Sequence, residues 1–195
     1  NIWIGTEDAG LNKLDPKTGI IKHFMPNGKG SISYRNIHGL LADGNELWIG
    51  TYEHGLDVMD MRTEKVIRHY DANMGPGSFR SDFIVTLHKR RNNEILVGTW
   101  NGLFRYNRAN DNFTPDSFFN MQIQSIHEDK DGTLWVASYG KGIFYHNPQT
   151  GERGNLKYEP ANPNSLPNNY VNSLYGDSSG DLWFCTEGGL TQYSK

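Results

Sequence analysis

Five copies of one short pattern limit what this chain can become. The clearest is Glu46-Leu47-Trp48-Ile49-Gly50-Thr51, followed after three residues by Gly55-Leu56. Its relatives are Ile2-Trp3-Ile4-Gly5-Thr6 with Gly10-Leu11 and Ile95-Leu96-Val97-Gly98-Thr99 with Gly102-Leu103. Two more are Leu134-Trp135-Val136-Ala137-Ser138 with Gly142-Ile143 and Leu182-Trp183-Phe184-Cys185-Thr186 with Gly189-Leu190. The tryptophan column falls at 3, 48, 96 (leucine here), 135 and 183, with spacings of 45, 48, 39 and 48. Short apolar runs returning every 40 to 50 residues or so are the mark of propeller blades. A β-solenoid is the rival reading, but its repeats are usually shorter.

Each of the later four copies is preceded by a further apolar run: Ile37-His38-Gly39-Leu40, Ile84-Val85-Thr86-Leu87, Ile123-Gln124-Ser125-Ile126 and Val171-Asn172-Ser173-Leu174. Side chains alternate along a strand, so apolar residues three apart point to opposite faces. That spacing predicts an innermost strand buried on both faces, with the small third residue where sheets converge. Hairpin signals follow at Asp43-Gly44, Asn92-Asn93, Asp131-Gly132 and Ser179-Gly180. Asp15-Pro16-Lys17-Thr18-Gly19 and Asn147-Pro148-Gln149-Thr150-Gly151 are turns before an outer strand. Four strands per repeat and no helix signal predict an all-β chain, a partial β-propeller of about four blades.

Counted along residues 1–195, this gives a half-blade at 1–24, whole blades at about 33–70, 80–114 and 121–158, and a half-blade at about 169–195. The chain reads as one propeller fragment of a longer protein. Residues 1–24 lack an inner strand of the kind that 169–175 supplies. Closure by that complement is expected, either within one chain or between two in a homodimer through open sheet edges.

The net charge of -3 offers no basic field for nucleic acid, and no apolar run is long enough for a membrane helix. The one basic cluster, Lys89-Arg90-Arg91, sits at an expected hairpin turn. Cys185, the sole cysteine, occupies the small-residue column with Gly5, Gly50, Gly98 and Ala137, so a buried, inert thiol is expected.

Catalytic and metal signatures do not emerge. Asp129-Lys130-Asp131-Gly132 opens like a calcium loop, but the remaining ligands are missing and a hairpin turn explains it. His38, His88 and His127 lie on or just after inner strands, yet His38 falls in a different column from the other two, so no metal set is assigned. No cofactor is implied. Trp3, Trp48, Leu96, Trp135 and Trp183, with Gly50 and Gly98, are assigned to the packed core of the repeat. Trp100 lies outside that column in a shortened loop and is a candidate for ligand contact.

The pattern Leu-Trp-Ile-Gly-Thr, three residues, Gly-Leu, preceded by a Leu, turn, Asp-Gly element, resembles the two-component regulator propeller repeat. Linkers with Ser before an apolar residue strengthen the resemblance: Lys29-Gly30-Ser31-Ile32-Ser33, Gly75-Pro76-Gly77-Ser78-Phe79 and Asn162-Pro163-Asn164-Ser165-Leu166-Pro167-Asn168-Asn169. Leu96, Ala137, Cys185 and a linker at 113–122 without the Ser motif depart from it. The resemblance implies the periplasmic sensor region of an inner-membrane hybrid two-component system of gut Bacteroidetes. There two propellers precede a membrane helix, a Tyr-rich β-domain, a histidine kinase, a receiver and a DNA-binding module. It implies a response to oligosaccharides, with no catalysis, nucleic-acid binding or membrane insertion in this fragment.

In such blades the loop between the second and third strands emerges on the same side as the linker between blades. The variable residues there, Tyr52, Glu53, His54, Arg80, Trp100, Asn101, Tyr139, Lys141 and Glu187, mix aromatic rings with polar groups. That mixture suits a sugar, which shows apolar ring faces and hydroxyls together, and equally a protein partner. Two other readings stand beside the sensor: a carbohydrate-active propeller enzyme (glycosidase or lyase) and a purely structural interaction propeller.

Overall fold

The computed structural model describes residues 1–75 and 77–194. Pro76 of the second linker motif and Lys195 at the end of the last half-blade lie outside the described residues. Among the described residues every regular element is a strand, and the eighteen form five antiparallel sheets. In chain order these are β1 (Ile2–Gly5), β2 (Leu11–Leu14) and β3 (Ile21–Phe24); then β4 (Ile37–Asp43), β5 (Glu46–Thr51), β6 (Leu56–Asp60) and β7 (Lys65–Tyr70). The third sheet is β8 (Ile84–Lys89), β9 (Ile95–Thr99), β10 (Gly102–Asn107) and β11 (Asn112–Pro115). The fourth is β12 (Ile123–Glu128), β13 (Leu134–Ser138), β14 (Gly142–His146) and β15 (Arg153–Leu156). The fifth is β16 (Val171–Gly176), β17 (Leu182–Thr186) and β18 (Gly189–Tyr193). Each strand pairs with its sequence neighbour, so the sheets are simple up-and-down meanders. Two compact units result: 1–100 with 104–115, and 101–103 with 116–195.

The repeated signature has a local cause. The Thr column closes the loop after the Trp strand: the hydroxyls of Thr6, Thr51 and Thr186 donate to the carbonyls of Gly10, Gly55 and Gly189 at 2.8, 2.8 and 2.9 Å. The Gly that follows has positive φ, 70° at Gly55, and a Cβ there would lie 2.2 Å from the Tyr70 carbonyl oxygen. Only glycine fits both demands. In the linkers the Ser hydroxyls of Ser31, Ser78 and Ser165 donate to the carbonyls of Gly28, Gly75 and Glu159. Each turn presents the next residue, Ile32, Phe79 or Leu166, to the core as a buried plug.

The inner strands correct one expectation. All four carry a register shift against their partner between the first and third residue: Ile37/Gly39, Ile84/Thr86, Ile123/Ser125 and Val171/Ser173. A bulge inserts an extra residue and so cancels one alternation. The two apolar residues therefore share a face rather than opposing one another. Ile37 and Leu40 enter one cluster with Leu11, and Val171 and Leu174 enter another with Trp135 and Ala137. The small third residue meets the following sheet instead: a Cβ on Gly39 would lie 3.3 Å from Leu87.

Trp48 and Gly50 share the face of β5 that turns towards β8. Gly50 is the socket for Ile84, as Gly5 is for Ile37; added Cβ atoms would lie 2.6 and 2.8 Å from those Cγ2 atoms. Where the fourth sheet holds Ala137, the residue packed in its cluster is the smaller Val171. Leu47, Ile49 and Met59 cover the opposite face with Leu11 and Ile37.

Trp48, Leu96, Trp135, Gly50 and Gly98 are buried, whereas Trp3 and Trp183 are half-buried. Cys185 is exposed, against the expectation of a buried thiol. Its column receives the first inner-strand residue of the next sheet in chain order, and among the described residues no strand follows β18.

Candidate functional site

The linker side of the first unit carries a connected set of aromatic rings. Tyr52 follows the Thr column, and its backbone N–H donates to the Asn36 carbonyl at 3.0 Å, which fixes the loop above β4. Its ring stacks on His38 at 5.4 Å and meets Phe83 and Trp100 edge-on at 4.7 and 5.8 Å. Phe83 and Trp100 lie face to face, centroids 4.1 Å apart and planes within 5°. Trp100 N–H donates to the Phe83 carbonyl, so backbone and rings hold the pair together. Trp100 still exposes 38% of its surface. Burial holds the His38 imidazole below its ordinary pKa, against the pull of Glu7.

Beside this shelf, Tyr34 stacks on His54 at 4.3 Å. Glu53, between Tyr52 and His54, is exposed at a φ of 74°. Below lies a buried carboxylate: Asp57 accepts from the Ser33 N–H at 2.6 Å and contacts His69 Nδ1 at 2.7 Å. That hydrogen bond, joined by the charges of Asp57, Asp71 and Asp82, outweighs desolvation and raises the His69 pKa. The pair ties the linker beneath Tyr34 to the outer strand β7. Arg80 is exposed on the following linker.

The second unit repeats the theme more sparsely. Tyr139 sits at the position of Tyr52, meets Tyr170 edge-on at 4.7 Å, and donates its hydroxyl to Glu187 at 3.2 Å. The hydrogen bond to this carboxylate, with its charge, raises the Tyr139 pKa. Lys141 N–H donates to the Ser138 hydroxyl in the same loop, and Asn101 is an exposed loop residue. The structure thus joins Tyr52 with Trp100 and Tyr139 with Glu187.

Sequence reading missed Tyr34, Phe83 and Tyr170, and considered His38 only as a metal ligand. A signal existed for two of them. Phe83 and Tyr170 occupy the residue before the inner strand, a column shared with Asn36 and Gln122. The residue after the Thr column hydrogen-bonds to that position in four repeats: Tyr52 to Asn36, Trp100 to Phe83, Tyr139 to Gln122 and Glu187 to Tyr170. Reading the two columns together would have paired Trp100 with Phe83 and set Tyr170 beside Glu187. Among the described residues no group of three or more His, Cys, Asp or Glu side chains is placed to hold a metal.

Residues 117–140 and 165–188 match the family model described as the two component regulator propeller. Those two segments are repeats of that kind. The resemblance carried by the Leu-Trp and Gly-Leu columns is therefore the one the family model finds. No curated protein sequence matches the chain. Among solved structures, an extracellular domain assigned to a hybrid two component system of B. thetaiotaomicron shares the fold at a TM-score of 0.62 and 23% identity, covering 98% of this chain and 31% of that one. A second extracellular domain, assigned to a one component system of the same organism, gives 0.65 and 18%, covering 99% and 31%. A catalytically inactive variant of virginiamycin B lyase from Staphylococcus aureus, with quinupristin, gives 0.65 and 17%, covering 98% and 65%. The chain spans about a third of the length of the first two structures. At these identities the likeness fixes the fold, an all-β propeller. No helix among the described residues is long and apolar enough to cross a membrane.

Proposed function

We propose that this chain is part of the extracellular, periplasm-facing sensor region of a hybrid two-component system. In this reading it recognises oligosaccharide through the aromatic rings on its linker side and performs no catalysis of its own. The match to regulator propeller repeats supports the setting. The observation that carries the ligand class is the Phe83–Trp100 stack with Tyr52 and His38 against it. Stacked, partly exposed rings backed by backbone hydrogen bonds form a rigid apolar platform, and neighbouring Glu53 and His54 can meet hydroxyl groups. A pyranose ring offers an apolar face and a polar rim of that kind. Signalling would then pass through domains of the parent protein beyond these residues.

The test is a titration of the chain with a panel of plant and host oligosaccharides, read by tryptophan fluorescence and calorimetry. A binder should lose about tenfold or more in affinity in Trp100→Ala, in keeping with a ring at the centre of a binding surface. A binder indifferent to both Trp100→Ala and Tyr52→Ala would overturn the assignment of the platform. Binding of none of the panel would overturn the ligand class.

A further inference from the structure

A groove of about 300 Å³ opens between the first and second sheets, at the start of the first linker. Phe24, Met25, Ile32 and Met59 give it an apolar lining, and Lys22, Lys29, Lys65 and Glu64 stand around them. Backbone hydrogen bonds set its walls. The Val66 N–H of β7 donates to the Gly30 carbonyl at 2.9 Å, and the Ser31 N–H donates to the Gly28 carbonyl at 3.1 Å. The linker is thereby pinned between β3 and β7. Ile32 and Met59 are buried in the core, whereas Met25 leaves 39% of its surface exposed. A flexible thioether in such a place adapts to the shape of what it meets.

The charges around the groove do not balance. Glu64 accepts from Lys13 Nζ at 2.7 Å and also from Lys22, whose ammonium lies 5.1 Å from the centroid of the Phe24 ring. Two cations thus share one carboxylate, and among the described residues Glu64 is the only acid in the lining. Lys29 and Lys65 form no ion pair among the described residues. The Lys65 stem runs along Gly30, with its Cβ, Cγ and Cδ each 3.8 Å from where a Cβ on that glycine would stand. Lys65 is therefore carried against the linker to which Lys29 belongs. The result is a positive groove on a chain of net charge -3.

The second and third sheets make the same junction without those charges. The Phe113 N–H donates to the Gly77 carbonyl at 2.7 Å, as Val66 does to Gly30, but the side chain beside that glycine is Asn112. Arg68, the counterpart of Lys22, lies 5.7 Å from the centroid of the Trp48 ring and has Glu46 at 2.7 Å. Joining the sheets therefore does not require Lys29 and Lys65.

We infer that the groove between β3 and β7 binds a small amphipathic carboxylate, its tail against Phe24 and Met25 and its head paired with Lys29 and Lys65. The volume lies at the lower end of ordinary ligand pockets, and an apolar lining with a few placed charges is their usual make-up. Ammonium groups supply charge-assisted hydrogen bonds to the head. The site is independent of the linker-side rings and of sugar recognition.

The probe is octanoate, kept below its micelle-forming concentration and titrated into the whole chain while the Met25 and Met59 methyl resonances are followed. The Met25 signal is assigned with Met25→Leu. Saturable shifts of both methyls are expected, with octanol, which keeps the tail and loses the charge, bound at least about fivefold more weakly. Lys65→Gln and Lys29→Gln, both at exposed positions, should each weaken octanoate by about two- to fivefold and leave octanol and the folded amide spectrum unchanged. Added salt should weaken octanoate as well. Equal binding of octanol, no saturable shift, or indifference of octanoate to both lysine variants would each overturn the site. Cosedimentation with phosphatidylglycerol vesicles in the absence of any octanoate shift would assign the patch to a membrane surface and overturn it too.

Discussion

Gly50 offers the sharpest test of how the sheets are joined. Its φ lies outside the left-handed region, so alanine is conformationally acceptable there, and the unfolded-chain entropy effect alone would favour it by about 0.4–1 kcal/mol. The obstacle is the socket. A Cβ at Gly50 would stand 2.6 Å from Ile84 Cγ2, 3.1 Å from its Cβ and 3.2 Å from its carbonyl oxygen. Neither the strand-bound backbone nor a β-branched side chain can swing clear, so β8 must move away from β5. Overpacking of this kind costs about 1–3 kcal/mol. In an Ile84→Ala background the worst contact is gone, and the penalty for Gly50→Ala should fall below about 0.5 kcal/mol even though Ile84→Ala itself costs about 2–5 kcal/mol. Urea denaturation of the two single variants and the double variant gives the coupling. An unchanged penalty in both backgrounds, within about 0.3–0.5 kcal/mol, would refute the socket as the reason for glycine.

Three shorter predictions follow from single groups. The His69 pKa is raised above 6.5, so its contribution to stability is complete below that value and fades as pH rises through the raised one; a stability–pH profile should show this, and His69→Gln should flatten it. Asp177 accepts from the Ser179 hydroxyl, the Trp183 indole and turn N–H groups, which bring its pKa down to about 2. Its contribution is present above the ordinary 3.8 and is lost as pH falls towards 2, so the Trp183 indole resonance should titrate in that window and not near pH 4. Cys185 is exposed, so a thiol reagent should modify it in the folded chain about as fast as in urea; protection would contradict the exposed face of β17.

Much of the strand plan was legible because the repeat supplies five trials of the same experiment. Gly-Thr and Gly-Leu mark a loop closed by a hydroxyl and a positive-φ glycine, and those demands are local. The inner strands were harder. Ile37 and Leu40 are three apart, and alternation alone assigns them opposite faces; the bulge that returns them to one face is not carried by any residue type. Cys185 was misread because its column is a socket, and whether a socket is filled depends on a neighbouring sheet rather than on the column. The ring cluster was half legible. Tyr52 and Trp100 stand out by position, but Phe83 is an ordinary apolar residue until the hydrogen bond from Trp100 shows where it points.

The same logic separates two leucines that the repeat makes equivalent. Leu56 and Leu190 both follow the loop-closing glycine, and both lie on the face that turns towards the next sheet. Leu56 is fully buried, while Leu190 is 66% exposed. Ile2 likewise is half exposed at the position where Leu47 is buried. Propeller sheets gain their stability from neighbours on both faces, as stacked repeats do. A buried leucine truncated to alanine loses transfer energy and leaves a cavity, so Leu56→Ala should cost about 2–5 kcal/mol. Leu190 has little to lose, and Leu190→Ala should stay within about 0.5 kcal/mol. Both are measured by urea denaturation at low protein concentration. A cost above about 2 kcal/mol at Leu190 would mean that this face is covered in solution, contrary to the structure. If that cost also grew with protein concentration, the cover would be a second copy, because only association makes stability depend on concentration.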